Sequence, residues 1–439
     1  MRELTRPASR PACLLPLAAA IALVFAQDAT SLTGGVVVLN CRDSGPASLR
    51  DAYSNAIDNE IIDLTNLTCG TITLTTGALV DSKGATNVTL LGPGAAALMI
   101  DANSQDRALV HKGSGALTIK DLTITRGSYN GAHGGGCIYS HGSVHMYNST
   151  VSACTLKPSG NAPGNGGGVY ALGSLDLATS TVSGNTINCP GNSAGSGGGI
   201  WSGGPATIDY STIGNNRVSC NGIPRRGGGI FSGSDAKIYS STISANVAGD
   251  GGGAYFAADA IVKASTISGN NSSGGGASGL LATHQLFLGD CTITKNDSGF
   301  QAGAAVHLNS ITTAKMYGTI IYGNPAYQDI FTDDLDGRSG AVVIGSNNLI
   351  GVSLLAVPSG TLSSDPLLGP LSDNGGAAHT FTHALLKGSP AIDRGINTPQ
   401  TIDLTEDQRG PGFARVAGTA ADIGAFEFLG DRIFSNGFD

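Results

Sequence analysis

The chain has 439 residues, 66 of them Gly, with 41% hydrophobic, 13% charged and 5% aromatic residues and a formal net charge of −8. The acidic balance argues against nucleic acid as a partner. The apolar fraction is too high for a glycine-rich disordered chain, so a packed repeat is expected.

Residues 1–26 carry Arg2, Arg6 and Arg10 ahead of an apolar run from Leu14 to Phe25, the layout of a cleaved secretory signal peptide. The run is too short to span a bilayer, so no transmembrane segment is expected in the mature chain. Cys13 precedes the apolar run, which does not fit a lipoprotein cleavage box. Removing three Arg and one Glu takes the formal charge from −8 to about −10. Residues 27–70 read as an N-terminal cap, in which Pro46 opens a short helix with Leu49 and Tyr53 on one face. Such a helix closes the open end of a solenoid.

Residues 71–330 alternate with period two between Gly-rich turns and repeat. The strings Gly166-Gly167-Gly168-Val169-Tyr170, Gly197-Gly198-Gly199-Ile200-Trp201, Gly227-Gly228-Gly229-Ile230-Phe231 and Gly251-Gly252-Gly253-Ala254-Tyr255 each start fifteen residues before Thr181, Thr212, Thr242 and Thr266. From Thr150 through Thr292 the Thr-to-Thr steps are 31, 31, 30, 24 and 26, with all the variation after the Asn four past each Thr. Strands this short satisfy their backbones only by pairing with the turns before and after. The fold expected is therefore all-β, a parallel β-helix, right-handed by the usual crossover preference. Asn185, Asn216, Asn246, Asn270 and Asn296 fall at one place per turn and read as a structural amide stack that tolerates left-handed turn geometry. The triple glycines lack the following helix of a phosphate loop.

Seven cysteines remain after cleavage, an odd number for an oxidising compartment. Cys189 and Cys220 each lie eight residues past their Thr, in the variable loops 186–196 and 217–226, so they should pair across neighbouring turns. Cys41 and Cys69 bracket the N-terminal segment and form the second expected pair. Cys137, Cys154 and Cys291 read as thiols inside the repeat.

The Gly227-Gly228-Gly229-Ile230 and Ile243-Ser244-Ala245-Asn246 elements resemble the repeats of polymorphic outer-membrane-protein β-helices, with a third Gly in place of Ala and Ile in place of Phe. Asp365-Pro366-Leu367, Asp373-Asn374-Gly375-Gly376, Thr382-His383-Ala384-Leu385, Gly388-Ser389-Pro390-Ala391-Ile392-Asp393, Asp407-Gln408-Arg409-Gly410 and Asp422-Ile423-Gly424-Ala425-Phe426-Glu427 resemble the choice-of-anchor Q domain of secreted bacterial proteins. The resemblance implies a C-terminal anchor-type region over 331–428 and a secreted or outer-membrane-associated, surface-displayed protein. Residues 429–439 resemble a sorting tail, which implies sorting or anchoring machinery as a partner. No membrane barrel is expected after Ile330.

The functional class expected is an adhesin-like binding protein that contacts glycan or another surface polymer, without catalysis, metal or cofactor. The alternative is a lyase or glycoside hydrolase acting on an acidic polysaccharide. For that chemistry the best carboxylate pair is Asp235 and Asp259, both seven residues before their Thr, with Lys237 and His284 near by. Turn-forming Asp is the competing account. Asp333-Asp334-Leu335-Asp336 lacks EF-hand spacing and reads as a solvated turn, and His141 and His145 do not converge as a zinc pair. Lys157, Arg217, Arg225 and Arg226 give the variable loops a basic wall. The ligand-binding candidates are Tyr139, Tyr170, Trp201, Phe231 and Tyr255, which follow the inward aliphatic on successive turns and so point outward, with ring faces left uncovered by glycine; a stacked aromatic ladder that only stabilises the coil is the competing account.

Overall fold

The computed structural model describes residues 35–430 apart from 275, 300–302, 310–311, 326–333 and 398–403. The expected signal peptide and nearly all of the expected sorting tail lie outside the described residues. From Val36 onward the chain is a parallel β-solenoid, opened by a helix at Leu49–Asn55. Ser48, two residues past Pro46, is the N-cap and accepts from the Asp51 N–H at 3.2 Å. Leu49, Ala52 and Tyr53 turn inward against the core. Asp43 ties this cap to the coil by accepting from Arg50, Thr75 and Thr76. Burial opposes its ionisation, but those donors outweigh burial and bring its pKa down to about 2.

Three long parallel sheets run the length of the coil. One of twelve strands extends from Val36–Val37 to Val342–Ser346, a threonine sheet of eleven from Thr71–Thr73 to Leu349–Ile350, and a ladder sheet of ten from Leu79–Val80 to Leu335–Gly337. Each turn visits them in the same order, as in Val169–Ala171, Leu175–Ala178 and Thr181–Ser183. Register is unbroken: Val169 pairs with Ile200, Leu175 with Ala206 and Thr181 with Thr212. Inward residues such as Val169, Leu175 and Val182 are fully buried, as the period-two pattern requires.

The variable loops are more ordered than expected. Thr186–Asn188 and Arg217–Ser219 belong to a fourth sheet of six strands, and Gly195–Ser196 and Arg225–Arg226 to a fifth of three. Between them lies a small second core of Leu156, Ile187, Val218 and Ala248. The longer repeats carry enough chain to bury apolar side chains outside the coil, whereas the turns from Thr242 onward are shorter and end this core.

The Asn column is an interior ladder. The side-chain amide of Asn185 donates to Asn216 at 2.9 Å, and the chain of amides continues through Asn246, Asn270, Asn296 and Asn324 at 2.9 to 3.0 Å. Each carbonyl oxygen also accepts the backbone N–H of the previous Asn, as from Asn216 to Asn246 at 3.0 Å. The residue with positive φ is the one before the Asn, as at Asn215, Ala245 and Lys295, so the Asn is chosen for its amide and not for turn tolerance. A second ladder lies one residue before the Thr. Ser149, Ser180, Ser211 and Ser241 each donate a backbone N–H to the serine hydroxyl of the next turn at 3.0 to 3.2 Å.

These ladders explain the cysteines. Cys41–Cys69 and Cys189–Cys220 are bonded as expected, the latter with Cα atoms 4.7 Å apart on adjacent turns. Cys137 and Cys154, expected as thiols, instead form a disulfide with Cα atoms 5.5 Å apart. In the next turn the equivalents of this pair are Gly168 and Asn185, and a β-carbon at Gly168 would lie 2.8 Å from the Asn185 amide carbon. Two departures from the repeat therefore meet across one gap. Cys291 is free and buried at the serine-ladder position, its sulfur 3.3 Å from the Val262 carbonyl oxygen, and burial pushes its thiol up to about 12.

The segment after the coil folds back along the outer face of the threonine sheet. Thr242 donates to the Phe381 carbonyl at 2.7 Å, and Thr266 to Gln408 at 2.6 Å. The Ser268 hydroxyl meets His383 Nε2 at 2.8 Å, while Ala425 N–H donates to Thr292 at 3.0 Å. His383 Nδ1 lies 2.7 Å from the Gly369 carbonyl, so Nδ1 carries the proton and Nε2 accepts. Arg415, 1% exposed, bridges Asp290 of the coil at 2.8 Å and Glu427 at 3.1 Å. Burial pushes Glu427 up to about 7 against the pull of the Ala417 and Asp422 N–H groups and Arg415. Ile320 and Leu349 of the coil share a core with Leu385, Ile423 and Phe426. Burial records the cover: Thr181 and Thr212 are half-buried, Thr242, Thr266 and Thr292 fully.

Replacing Asn246 with Ala removes four interior hydrogen bonds and should lower unfolding free energy by about 3 kcal/mol. A denaturant titration reads the loss. Non-reducing peptide mapping should return 41–69, 137–154 and 189–220 as linked pairs, with Cys291 alkylated only after denaturation.

Candidate functional site

In every turn the ladder sheet places one inward aliphatic, then one outward residue. Tyr139 pairs in register with Tyr170, Tyr170 with Trp201, Trp201 with Phe231 and Phe231 with Tyr255. The rings stack: centroids are 5.2, 4.5, 6.2 and 5.4 Å apart with planes within 14° of parallel. Coplanar rings lying flat on the sheet could not approach to 4.5 Å, so each face is covered by its neighbour and the edges face outward. The expectation of uncovered faces is corrected by the coil's own rise, which equals a stacking distance. Glycine instead provides room, since a β-carbon at Gly134 would collide with the Tyr170 ring.

The stack is capped at both ends. The Arg107 guanidinium lies 4.9 Å from the centre of Tyr139 and 3.2 Å from that of Tyr129, and Arg226 lies 4.8 Å from the centre of Tyr255. Tyr139, Tyr170, Trp201 and Phe231 are half-buried, and Tyr255 is buried at 8% exposure. Burial raises the pKa of the Tyr139, Tyr170 and Tyr255 hydroxyls, so they remain neutral donors. Along one flank runs the three-stranded sheet that ends in Arg225–Arg226. Lys157 and Arg217 are exposed on the six-stranded sheet, so the basic residues of the expected wall divide between two faces.

Beyond Tyr255 the same column continues through Leu281, His307 and Asp336. There it opens into a cleft of about 330 Å³ lined by Arg226, Asp250, Leu281, His307, Asp336 and Arg338. His307 Nδ1 lies 2.6 Å from Asp336, both side chains about one-fifth exposed. The expectation of a solvated turn at 333–336 is corrected for its described part: Asp334 accepts the last amide of the Asn ladder at 2.7 Å and Asp336 holds His307. The signal for this cleft was present as Gly303-Ala304-Ala305-Val306-His307, a degenerate copy of the Gly-Gly-Gly string.

Asp235 and Asp259 stand on adjacent turns, as Ala236 pairs with Ala260. Both are exposed, outside this cleft, and Asp259 accepts from the Gln285 N–H of the following turn at 3.1 Å. His145 is paired with Asp176 at 3.1 Å on the twelve-stranded sheet, whereas His141 lies in the turn before that strand. Among the described residues no three His, Cys, Asp or Glu side chains converge to hold a metal, and no helix is long and apolar enough to cross a membrane. The molecule is a disulfide-linked parallel β-solenoid with an outward aromatic stack. Comparison with family models, curated proteins and solved structures finds no match to this chain.

Asp209 sits between Ala178 and Tyr239 on the twelve-stranded sheet, and burial pushes it up to about 6 against a hydrogen bond from the Tyr210 N–H. Its folded pKa exceeds the ordinary carboxylate value of 3.8, so the native state holds the proton more tightly. The resulting stability is present below about pH 4 and is lost as pH rises through about 6. Asp209→Asn should therefore raise unfolding free energy by about 2 kcal/mol at pH 8 and leave it unchanged at pH 4. Urea titrations at the two pH values test the sign.

Proposed function

We propose that the protein is a secreted or surface-displayed, adhesin-like binding protein whose ladder sheet contacts a glycan or another extended surface polymer. The observation that carries this reading is the aromatic stack itself, which presents ring edges and tyrosine hydroxyls at one coil rise per turn. A polymer laid along the axis meets repeated, chemically similar contacts, and avidity accumulates without any deep pocket. Three disulfides fit an oxidising compartment, in keeping with a cleaved signal peptide over 1–26.

The resemblance to choice-of-anchor and outer-membrane-protein repeats supports surface display, with residues 331–428 as the anchor-type region and 429–439 as the sorting tail. Within that region the motif residues Gln408, His383 and Arg409 take part in docking on the coil or in bracing the segment that docks. Right-handed winding is part of the same proposal. Asp235 and Asp259 are read as turn residues, which leaves the lyase or hydrolase alternative without its carboxylate pair.

The test is retention of the full chain on a panel of insoluble polysaccharides, including cellulose, chitin and pectin. Replacing Tyr170 and Trp201 with Ala should cut retention on whichever polymers the wild type binds by at least about tenfold, the loss of two ring-edge contacts and one hydroxyl. The far-UV spectrum should stay unchanged. Equal retention by the variant would leave the stack as packing alone.

A further inference from the structure

The cleft at the end of the stack has a composition unlike the rest of the ladder face. Arg226 and Arg338 both line it, and among the described residues neither guanidinium makes an ion pair or hydrogen bond. The Nε of Arg226 is buried with no partner, held by its contact with Tyr255. For Arg226 an unpartnered cation in a partly enclosed site is costly unless an anion or water meets it, while Arg338 reaches the cleft from the exposed side.

The same cleft carries acceptors. Asp336 binds His307 Nδ1, which leaves Nε2 with no hydrogen bond among the described residues, and Asp250 stands beside Arg226 in a parallel bridge. Two carboxylates beside two guanidiniums disfavour a dianion, whose second charge would meet Coulomb repulsion. They suit a ligand with one negative charge and several hydroxyl donors. Guanidinium takes a carboxylate in a two-point grip, and Asp and His accept from hydroxyls. Leu281 adds an apolar wall, and about 330 Å³ is at the small end of ligand sites.

We propose that this cleft binds a single carboxylated sugar residue, a uronic acid, at the end of a chain lying along the aromatic stack. The inference rests on the reading of the stack as a glycan-contacting face and adds to it a direction and a chemical preference. Arg226 and Arg338 grip the carboxylate, while Asp250 and the His307–Asp336 pair take hydroxyl groups. A uronate residue at the end of the chain fixes the polymer's polarity on the coil.

The test is calorimetric titration of the full chain with short oligogalacturonates, with the same oligomers after carboxyl reduction, and with sulfated oligosaccharides. The acid form should bind at least about tenfold more tightly than the reduced form, the effect of one charge-assisted pair. Arg338→Ala should erase that difference, and since Arg338 is exposed its replacement leaves the coil intact even where Arg226→Ala does not. The Tyr170 and Trp201 double variant should weaken both forms alike and keep their ratio. Equal affinity for acid and reduced oligomers, no binding of the acid form, or tighter binding of the sulfated ones overturns the proposal. A ratio that persists while the stack variant binds like wild type refutes the stack and leaves the cleft standing.

Discussion

Everything in this molecule depends on one constraint: each short strand can satisfy its backbone only through the strand directly before and after it in the stack. A turn that slipped by one residue would expose its aliphatics and bury its polar side chains. The interior ladders make such a slip expensive. Each Asn amide spans two turns and also bonds its neighbour's backbone, so a displaced turn leaves several buried polar groups without partners at once. The serine ladder repeats the device at a second corner.

The same constraint decides where variation is allowed. From the repeat of Gly166 to that of Gly251 the strands between the first Gly and the Asn pair with the turns before and after, and the spacing there is constant; after the Asn the chain leaves the coil and only has to return. In the longest repeats it returns by way of two further sheets with their own core, linked by Cys189 and Cys220. Where the repeats shorten, this outer core ends, and the ladder column turns from rings to Leu281, His307 and Asp336. The cleft is thus a consequence of repeat length. An excursion that walls the stack in the early turns is reduced in the later ones.

The coil, its strand columns and two of the disulfides were legible because stacking is a matter of register, and register is visible as spacing. What was missed depended on departures from the repeat. Cys137 replaces a ladder-sheet Gly and Cys154 replaces the ladder Asn of the same turn, and only the contact between those two positions shows that the substitutions are one event. His307 was hidden because its glycine string had decayed to Gly-Ala-Ala. The strings between Asp365 and Glu427 mark a C-terminal region but do not encode its return along the threonine sheet. The return depends on Thr242, Thr266 and Thr292 pairing with residues more than a hundred positions away.

That return also divides the surface. The C-terminal segment covers the later half of the threonine sheet with apolar and buried ionic contacts, Arg415 between Asp290 and Glu427 chief among them. Removing one partner of such a pair would strand a buried charge, so this cover is a fixed part of the fold. The twelve-stranded sheet presents an outer column of unlike residues, His145, Asp176, Thr207, Lys237 and Ile261, with no repeated chemistry for a polymer to meet. The ladder sheet differs on both counts. Its outer column repeats one kind of side chain over five turns and is bounded by Arg107 at one end and Arg226 at the other. The stack stabilises the coil whether or not anything binds it, since neighbouring rings cover one another. Its edges, hydroxyls and terminal cations remain at the surface, and the last of those cations opens onto the cleft. A face built first for register thereby repeats one kind of side chain over five turns and ends at a cleft of different chemistry.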